Sequence, residues 1–256
     1  MSPGDQGENS VQQTLGVQTN VDLITVKPGQ LVIATSNIAA RPMSFIDEGQ
    51  RLGYEPAVAR AVCDRLGLEP VWSPMPMQDF YTELSTGEYD VVWFNQAITQ
   101  ERRAWADFTR PYGRFDTAIL VKEESPIEVK SDLSGKRIGM LQGSTTHLLL
   151  EMFPPDIEVV SFPAQEHVLA KMLEALYDGT IEAVVEEELL LMAAEAQDRG
   201  LRVADQVPTQ RPFGVGVLPG NRELLVALND TLNTLITDGT LAKLWGQWIP
   251  FKAYPF

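Results

Sequence analysis

The sequence predicts an α/β protein of two lobes, each a sheet flanked by helices, joined by two hinge segments. Three observations carry this. From about residue 30, short β-branched runs alternate with amphipathic helical segments; the alternation pauses after residue 115 and restarts near residue 136; and the chain ends in a long helical segment that needs a lobe to pack on. A chain of 256 residues with 44% hydrophobic content is long enough for one large domain or two ordinary ones with real cores.

QLVIATS (30–36) reads as a buried strand between Pro28-Gly29 and Ser36-Asn37. EPAVARAVCDRLGL follows as an amphipathic helix, with Pro56 in its first turn and Gly67 near its end. EPVWSPM is the next strand, DFYTELSTG a helix closed by Gly87, and YDVVWFN a third strand. In the second unit KRIGMLQG reads as a strand, STTHLLLEMF as a helix, IEVVSFP as a strand, AQEHVLAKMLEALYDG as a long helix and IEAVVEE as a buried strand. FDTAILVKEESP and VADQVPTQRPFGVGVLPGN, the extended segments between and after the units, are the expected hinge. NRELLVALNDTLNTLITDGTLAKLWGQWI is helical in spacing and breaks at Asp238-Gly239. The division is then residues 1–21 as a flexible polar leader, 22–115 with 212–256 as lobe 1, and 116–211 as lobe 2. A chain that crosses twice leaves a cleft between lobes, where small ligands bind.

Composition removes several function classes. A net charge of −15 disfavours a nucleic-acid backbone or an anionic membrane as the main partner. Cys63 stands alone, so neither an intramolecular disulfide nor a cysteine-based zinc site can form, and it reads as an inert core thiol. His147 and His167 have no partner at metal-ligand spacing, which argues against a histidine metal site or a Ser-His-Asp triad; both read as surface residues. No apolar run has the length of a membrane span.

Two segments have the chemistry of an anion site. Arg102 follows ITQE just past a buried strand, where its guanidinium can fork onto a carboxylate, although a surface arginine beside Arg103 would look the same. LQGSTT is a glycine turn running into a helix, so its free backbone amides suit an anion; it is also an ordinary helix cap.

Four ordered segments, GYEPAVARAVCDRLGL, YDVVWFNQAITQERRAWADFTRPY, SDLSGKRIGMLQGSTT with IEAVVEEELLL, and DGTLAKLWGQWI, resemble extracellular solute-binding proteins of family 3, the polar amino-acid binders of ABC importers. The resemblance runs from about residue 29 to residue 250 and implies a type II periplasmic binding protein fold. It also implies roles. Arg102, in the position of the family's ITxxR arginine, would clamp a ligand α-carboxylate. The amides around Ser144 and Thr145 would grip the same group from lobe 2. Glu187 stands where relatives carry the aspartate that takes the ligand ammonium, with Glu186 or Glu188 as substitutes if the register slips by one.

The chain departs from the family pattern at three places. Ala97 replaces a hydroxyl residue that relatives offer to the ammonium, and Asn95 is the expected compensation. The ring that stacks on the ligand side chain falls near Met77, with Phe80 and Tyr81 a turn later. Ser36 and Asn37 stand where binders of lysine or arginine carry an acid. With Arg41 nearby, a polar or acidic ligand is expected and a cationic one disfavoured.

No cofactor is implied, and the expected partners are an amino-acid-like solute and the membrane permease of an ABC importer, for a monomer that binds no nucleic acid. MSPGDQGENSVQQTLG has no signal-peptide pattern. It reads either as a native cytoplasmic start or as the remainder after removal of a signal or lipid-anchor segment, and the resemblance favours the second, a periplasmic or extracellular tethered protein. Two rivals share the fold. A cyclohexadienyl-dehydratase-like enzyme needs a buried general acid; its expected position is Leu190, which leaves Glu187 as the only acid for that reading. A sensor module would signal to a partner instead of delivering cargo.

Overall fold

The structure is a computed structural model that describes residues 23–256; the leader expected over 1–21 lies outside the described residues. Along the chain run strands β1 (Gln30–Thr35), β2 (Phe45–Asp47) and β3 (Gln50–Leu52), helix α1 (Tyr54–Leu66), β4 (Glu69–Pro74), α2 (Phe80–Leu84), β5 (Val91–Val92), α3 (Gln100–Arg103) and β6 (Asp107–Phe108). Then come β7 (Gly113–Lys122), β8 (Arg137–Leu141), β9 (Glu158–Phe162), α4 (Val168–Tyr177), β10 (Ala183–Glu187), α5 (Glu188–Gln197), β11 (Leu201–Phe213), β12 (Gly216–Val217), α6 (Arg222–Thr237) and α7 (Thr240–Trp248).

These strands form two five-stranded sheets, in the orders β4-β1-β5-β12-β6 and β11-β7-β10-β8-β9, with a small β2-β3 hairpin beside the first. β1 lies parallel to β4 and β5, and β8 parallel to β9 and β10. The chain builds most of the first sheet, crosses to complete the second, and returns through β12, α6 and α7. Both segments expected as extended connections are strands: β7 and β11 pair antiparallel with each other along their length.

Local chemistry explains the helices on the first sheet. In α1, Tyr54, Val58 and Val62 recur at helical spacing on the buried face, and Gly67 ends the helix in the left-handed conformation, its N–H bonded to Cys63 O. Asn221 caps α6 by accepting from Leu224 N at 3.2 Å, and Leu224, Leu228, Leu232 and Leu235 turn inward. α1, α6 and α7 thereby close an apolar core that includes Cys63, Trp93 and Trp245. A second core runs across both sheets, joining Ala34 and Phe94 to Val168 and Met172, and Ala39 N donates to Glu166 O at 3.0 Å. The cleft walls therefore touch.

Three readings change. STTHLLLEMF forms 3-10 turns over Thr145–Met152, because Pro154 and Pro155 follow at once and too few residues remain to offset α-helix nucleation. The long helix starts at Val168 instead of Ala164. α5, which follows β10 without a loop, was not anticipated.

Candidate functional site

The candidate site lies beyond the carboxyl ends of β1, β5, β8 and β10, where the two sheets face each other. Asn95, Arg102, Ser144, Thr145, Glu186, Glu187 and Met77 line one cleft together with Ile38, Phe94, Leu141, Leu169, Met172 and Leu190. Met77 and Arg102 also line its outer mouth, beside Gln78, Gln96, Gln142 and Gln165.

Arg102 is held at the end of the short α3. Its backbone N–H is capped by Thr99 Oγ1 at 3.2 Å, and its Nη1 donates to Ala97 O at 3.0 Å. The guanidinium carbon sits 5.9 Å from the centre of the Tyr81 ring, whose hydroxyl donates to Gln96 Oε1 at 2.6 Å. Ala97 thus contributes a carbonyl that aims Arg102, and its side chain is buried outside the cleft lining.

Asn95 adopts φ 51°, a left-handed conformation that asparagine tolerates better than most residues. Its backbone N–H donates to Glu55 Oε2 at 2.6 Å, and its side-chain amide donates to Glu187 Oε2. Glu55 in turn accepts from Tyr112 Oη at 2.5 Å. Burial pushes Glu55 up to about 7 and Glu187 up to about 8, the latter helped by the neighbouring Glu186.

The three consecutive glutamates are separated by the strand's alternation and the start of α5. Glu188 turns away from the cleft, accepting from Asp116 N at 2.6 Å and from Lys252 Nζ. Glu186 faces lobe 2's glycine turn: Leu141 N at 2.7 Å, Ser144 Oγ at 3.0 Å and Thr146 Oγ1 at 3.2 Å all donate to its carboxylate. Burial raises Glu186 to about 7, against the pull of those donors. The Ser144 hydroxyl and the Leu141 amide are engaged by the protein's own carboxylate, beside the amides around Ser144 and Thr145 where the sequence suggested a ligand anion.

Ser36 and Asn37 are likewise placed elsewhere. Arg51 Nη1 donates to Ser36 O and Arg51 Nη2 to Asn37 Oδ1, both at 2.6 Å, and the two residues line a separate shallow depression with Pro74 and Pro76. Nothing in the local sequence signals this, since Arg51 comes from the β2-β3 hairpin. Reading the sequence also missed Ile38, Phe94, Leu169 and Met172 as cleft residues, because an apolar residue facing a cleft has the same spacing as one facing a core. Leu190, where an enzymatic acid was expected, is an apolar cleft residue. Among the described residues, no cluster of three or more His, Cys, Asp or Glu could hold a metal, and no helix is long and apolar enough to cross a membrane.

This chain belongs to the bacterial extracellular solute-binding proteins, family 3, which it matches over residues 31–251. It is a solute-binding protein with the two-lobed type II fold. Among curated relatives it is similar to the ABC transporter arginine-binding protein 1 of Escherichia coli strain K12, at 27% identity over 200 residues, covering 78% of this chain and 82% of that one. Among solved structures, an ancestral arginine-binding protein bound to arginine is 29% identical with a TM-score of 0.78, covering 86% of this chain and 98% of that one. An ancestral amino acid-binding protein described as a precursor of cyclohexadienyl dehydratase is 27% identical with a TM-score of 0.76, covering 86% and 95%.

Proposed function

We propose that this chain captures an α-amino acid between its lobes and delivers it to the membrane permease of an ABC importer, working as a monomer outside the cytoplasmic membrane. Lobe 1 comprises residues 22–115 and 212–256, lobe 2 residues 116–211, and β7 with β11 is the hinge. The observation that carries the reading is the convergence of Arg102, Asn95 and Glu187 on one cleft between two sheets. Arg102 forks onto the ligand carboxylate, and Glu187 takes the ammonium in place of the Asn95 amide. Thr145 and Ser144 border the head group from lobe 2. The arginine bound in the ancestral structure and the ligand named for the Escherichia coli relative are both α-amino acids, which supports the same head-group class here.

A thermal-shift screen of amino acids tests this, because a ligand that binds only the folded state raises its melting temperature by mass action. For the ligand found, Arg102→Ala should lose ~2–5 kcal/mol of binding in calorimetry, the usual cost of removing one member of a buried charged pair. An unchanged affinity would remove Arg102 from the site.

A further inference from the structure

We infer that the side chain of the bound amino acid is apolar, aliphatic, aromatic or thioether, because the half of the cleft left over by the head-group residues offers it no polar partner. The inference rests on the head-group reading above and extends it.

The cleft is two-faced. Its polar side chains are Asn95, Arg102, Ser144, Thr145, Glu186 and Glu187, from the ends of β5 and β10, from α3 and from the glycine turn after β8. The rest of the lining is Ile38, Phe94, Val168, Leu169, Met172 and Leu190, with Met77, Leu141, Ala39 and Ala40 beside them, and no hydroxyl, amide or charged side chain among them. The polar half is also largely spoken for. Glu186 holds Leu141 N, Ser144 and Thr146; Glu187 holds Asn95 and is the partner for an ammonium; Arg102 is aimed by Ala97 O and is the partner for a carboxylate.

Several residues that could have supplied a polar end are elsewhere. Ser36 and Asn37 are engaged by Arg51 in a different depression. Arg41, Glu166 and Asp198 lie in a groove beyond Ala39, Leu169 and Leu190, which form the partition between it and the cleft. A polar or charged side-chain tip placed against Phe94, Met172 and Leu190 gives up its water hydrogen bonds for nothing, whereas an apolar side chain gains by leaving water. The alternative course for a side chain is outward, into the mouth lined by Gln78, Gln96, Gln142 and Gln165.

Calorimetric titration of the full chain with alanine, leucine, methionine, phenylalanine, glutamine, glutamate, arginine and lysine separates these. Alanine reports the head group alone. We expect one of leucine, methionine or phenylalanine to bind at least about tenfold tighter than glutamine, glutamate, arginine and lysine. In Leu190→Gln, that ratio should shrink at least about tenfold, and circular dichroism and denaturant midpoint check that the variant folds. If glutamine, arginine or another polar amino acid binds tightest and Arg102→Ala abolishes it, the inference is overturned and the head-group site stands. If no amino acid binds, or binding ignores Arg102, the proposed function fails and the inference with it.

Discussion

The side-chain amide of Asn95 donates across the cleft to Glu187, tying the end of β5 in one sheet to the end of β10 in the other. The backbone N–H of the same asparagine holds Glu55, so a lobe-1 helix, the cleft floor and a lobe-2 strand share one hydrogen-bonded chain. A ligand ammonium that reaches Glu187 must displace the Asn95 amide or share the carboxylate with it.

The first prediction concerns protons. Glu187 is raised to about 8 by burial and then by Glu186, with Glu55 adding to the push and Asn95 and Arg102 opposing it. At pH 6 to 7 the ligand-free carboxyl is mainly neutral, and an ammonium partner favours its ionised form. Binding should therefore release a proton, and affinity should rise by up to about tenfold per pH unit below pH 8, then level off. Calorimetry in buffers of different ionisation enthalpy reads the proton directly. Proton uptake, or no pH dependence from 6 to 8, would contradict the role given to Glu187.

The same groups set the stability of the ligand-free protein. Glu55 and Glu186 at about 7 and Glu187 at about 8 all lie above the ordinary 4.5, so the folded chain binds more protons than the unfolded one across that interval. Their contribution is full below pH 4.5 and is lost as pH rises through 7 and 8. Denaturant midpoints should fall from pH 5.5 to pH 8.5, and Glu187→Gln should flatten the fall.

Glu186 gives a third test. Removing its carboxylate leaves the Leu141 amide and the Ser144 and Thr146 hydroxyls without the acceptor that now organises the glycine turn. Glu186→Ala should cost ~1–3 kcal/mol of stability, the penalty for unsatisfied buried donors, and Glu186→Gln less, since an amide oxygen can still accept. Urea unfolding measures both, and equal losses would show that the acceptor geometry is unimportant.

How much of this could be read from residues alone depends on range. Strands β1, β4, β5, β8, β9 and β10 and helices α1, α4 and α6 follow local periodicity and were legible, whereas the β2-β3 hairpin, α3, β6 and α5 were not; Arg102 was legible because it lies just past a strand within one short segment. Glu187 was legible only to within one position: three consecutive glutamates look alike in sequence, and only the pleat of β10 and the start of α5 send Glu186 to the glycine turn and Glu188 to Lys252. The placement of Ser36 and Asn37 was not legible, since it is decided by Arg51, which reaches them from the β2-β3 hairpin. The apolar half of the cleft was hidden for a different reason. Phe94, Val168 and Met172 belong to a core that continues across the cleft, so their pattern is that of interior residues.

A fourth prediction tests the strands that connect the sheets. Gly113 pairs with Phe213, and a Cβ added to it would stand 2.0 Å from Phe213 Cζ, inside a cluster where Phe213 also stacks on Phe115 at 5.6 Å. Gly113→Ala should destabilise the chain by ~1–3 kcal/mol or more through overpacking, and Phe213→Leu should restore part of that loss when combined with it. Additive losses in the double mutant would mean that the ring is not what excludes the methyl group.

The last prediction joins the C-terminal segment to closure. Lys252 lies 3.7 Å from Asp116 Oδ2 and donates to Glu188 Oε1, while Asp116 N donates to Glu188 and Gln210 N donates to Asp116 Oδ1 at 2.6 Å. One lysine from the tail after α7 thus neutralises two acids where β7, β11 and α5 meet, the position proposed for the hinge. Lys252→Met leaves Asp116 and the fully buried Glu188 without their cation. Removing one partner of a buried pair costs ~3–5 kcal/mol, and the partial exposure of Lys252 reduces this to about 2–3 kcal/mol. If the clasp holds the lobes in their closed relation, small-angle scattering should also find the ligand-free variant with a larger radius of gyration than the parent, and saturating ligand should bring the two together, because the ligand favours the closed form by its differential affinity. A variant that loses stability but scatters like the parent in both states would make Lys252 a local support with no part in closure.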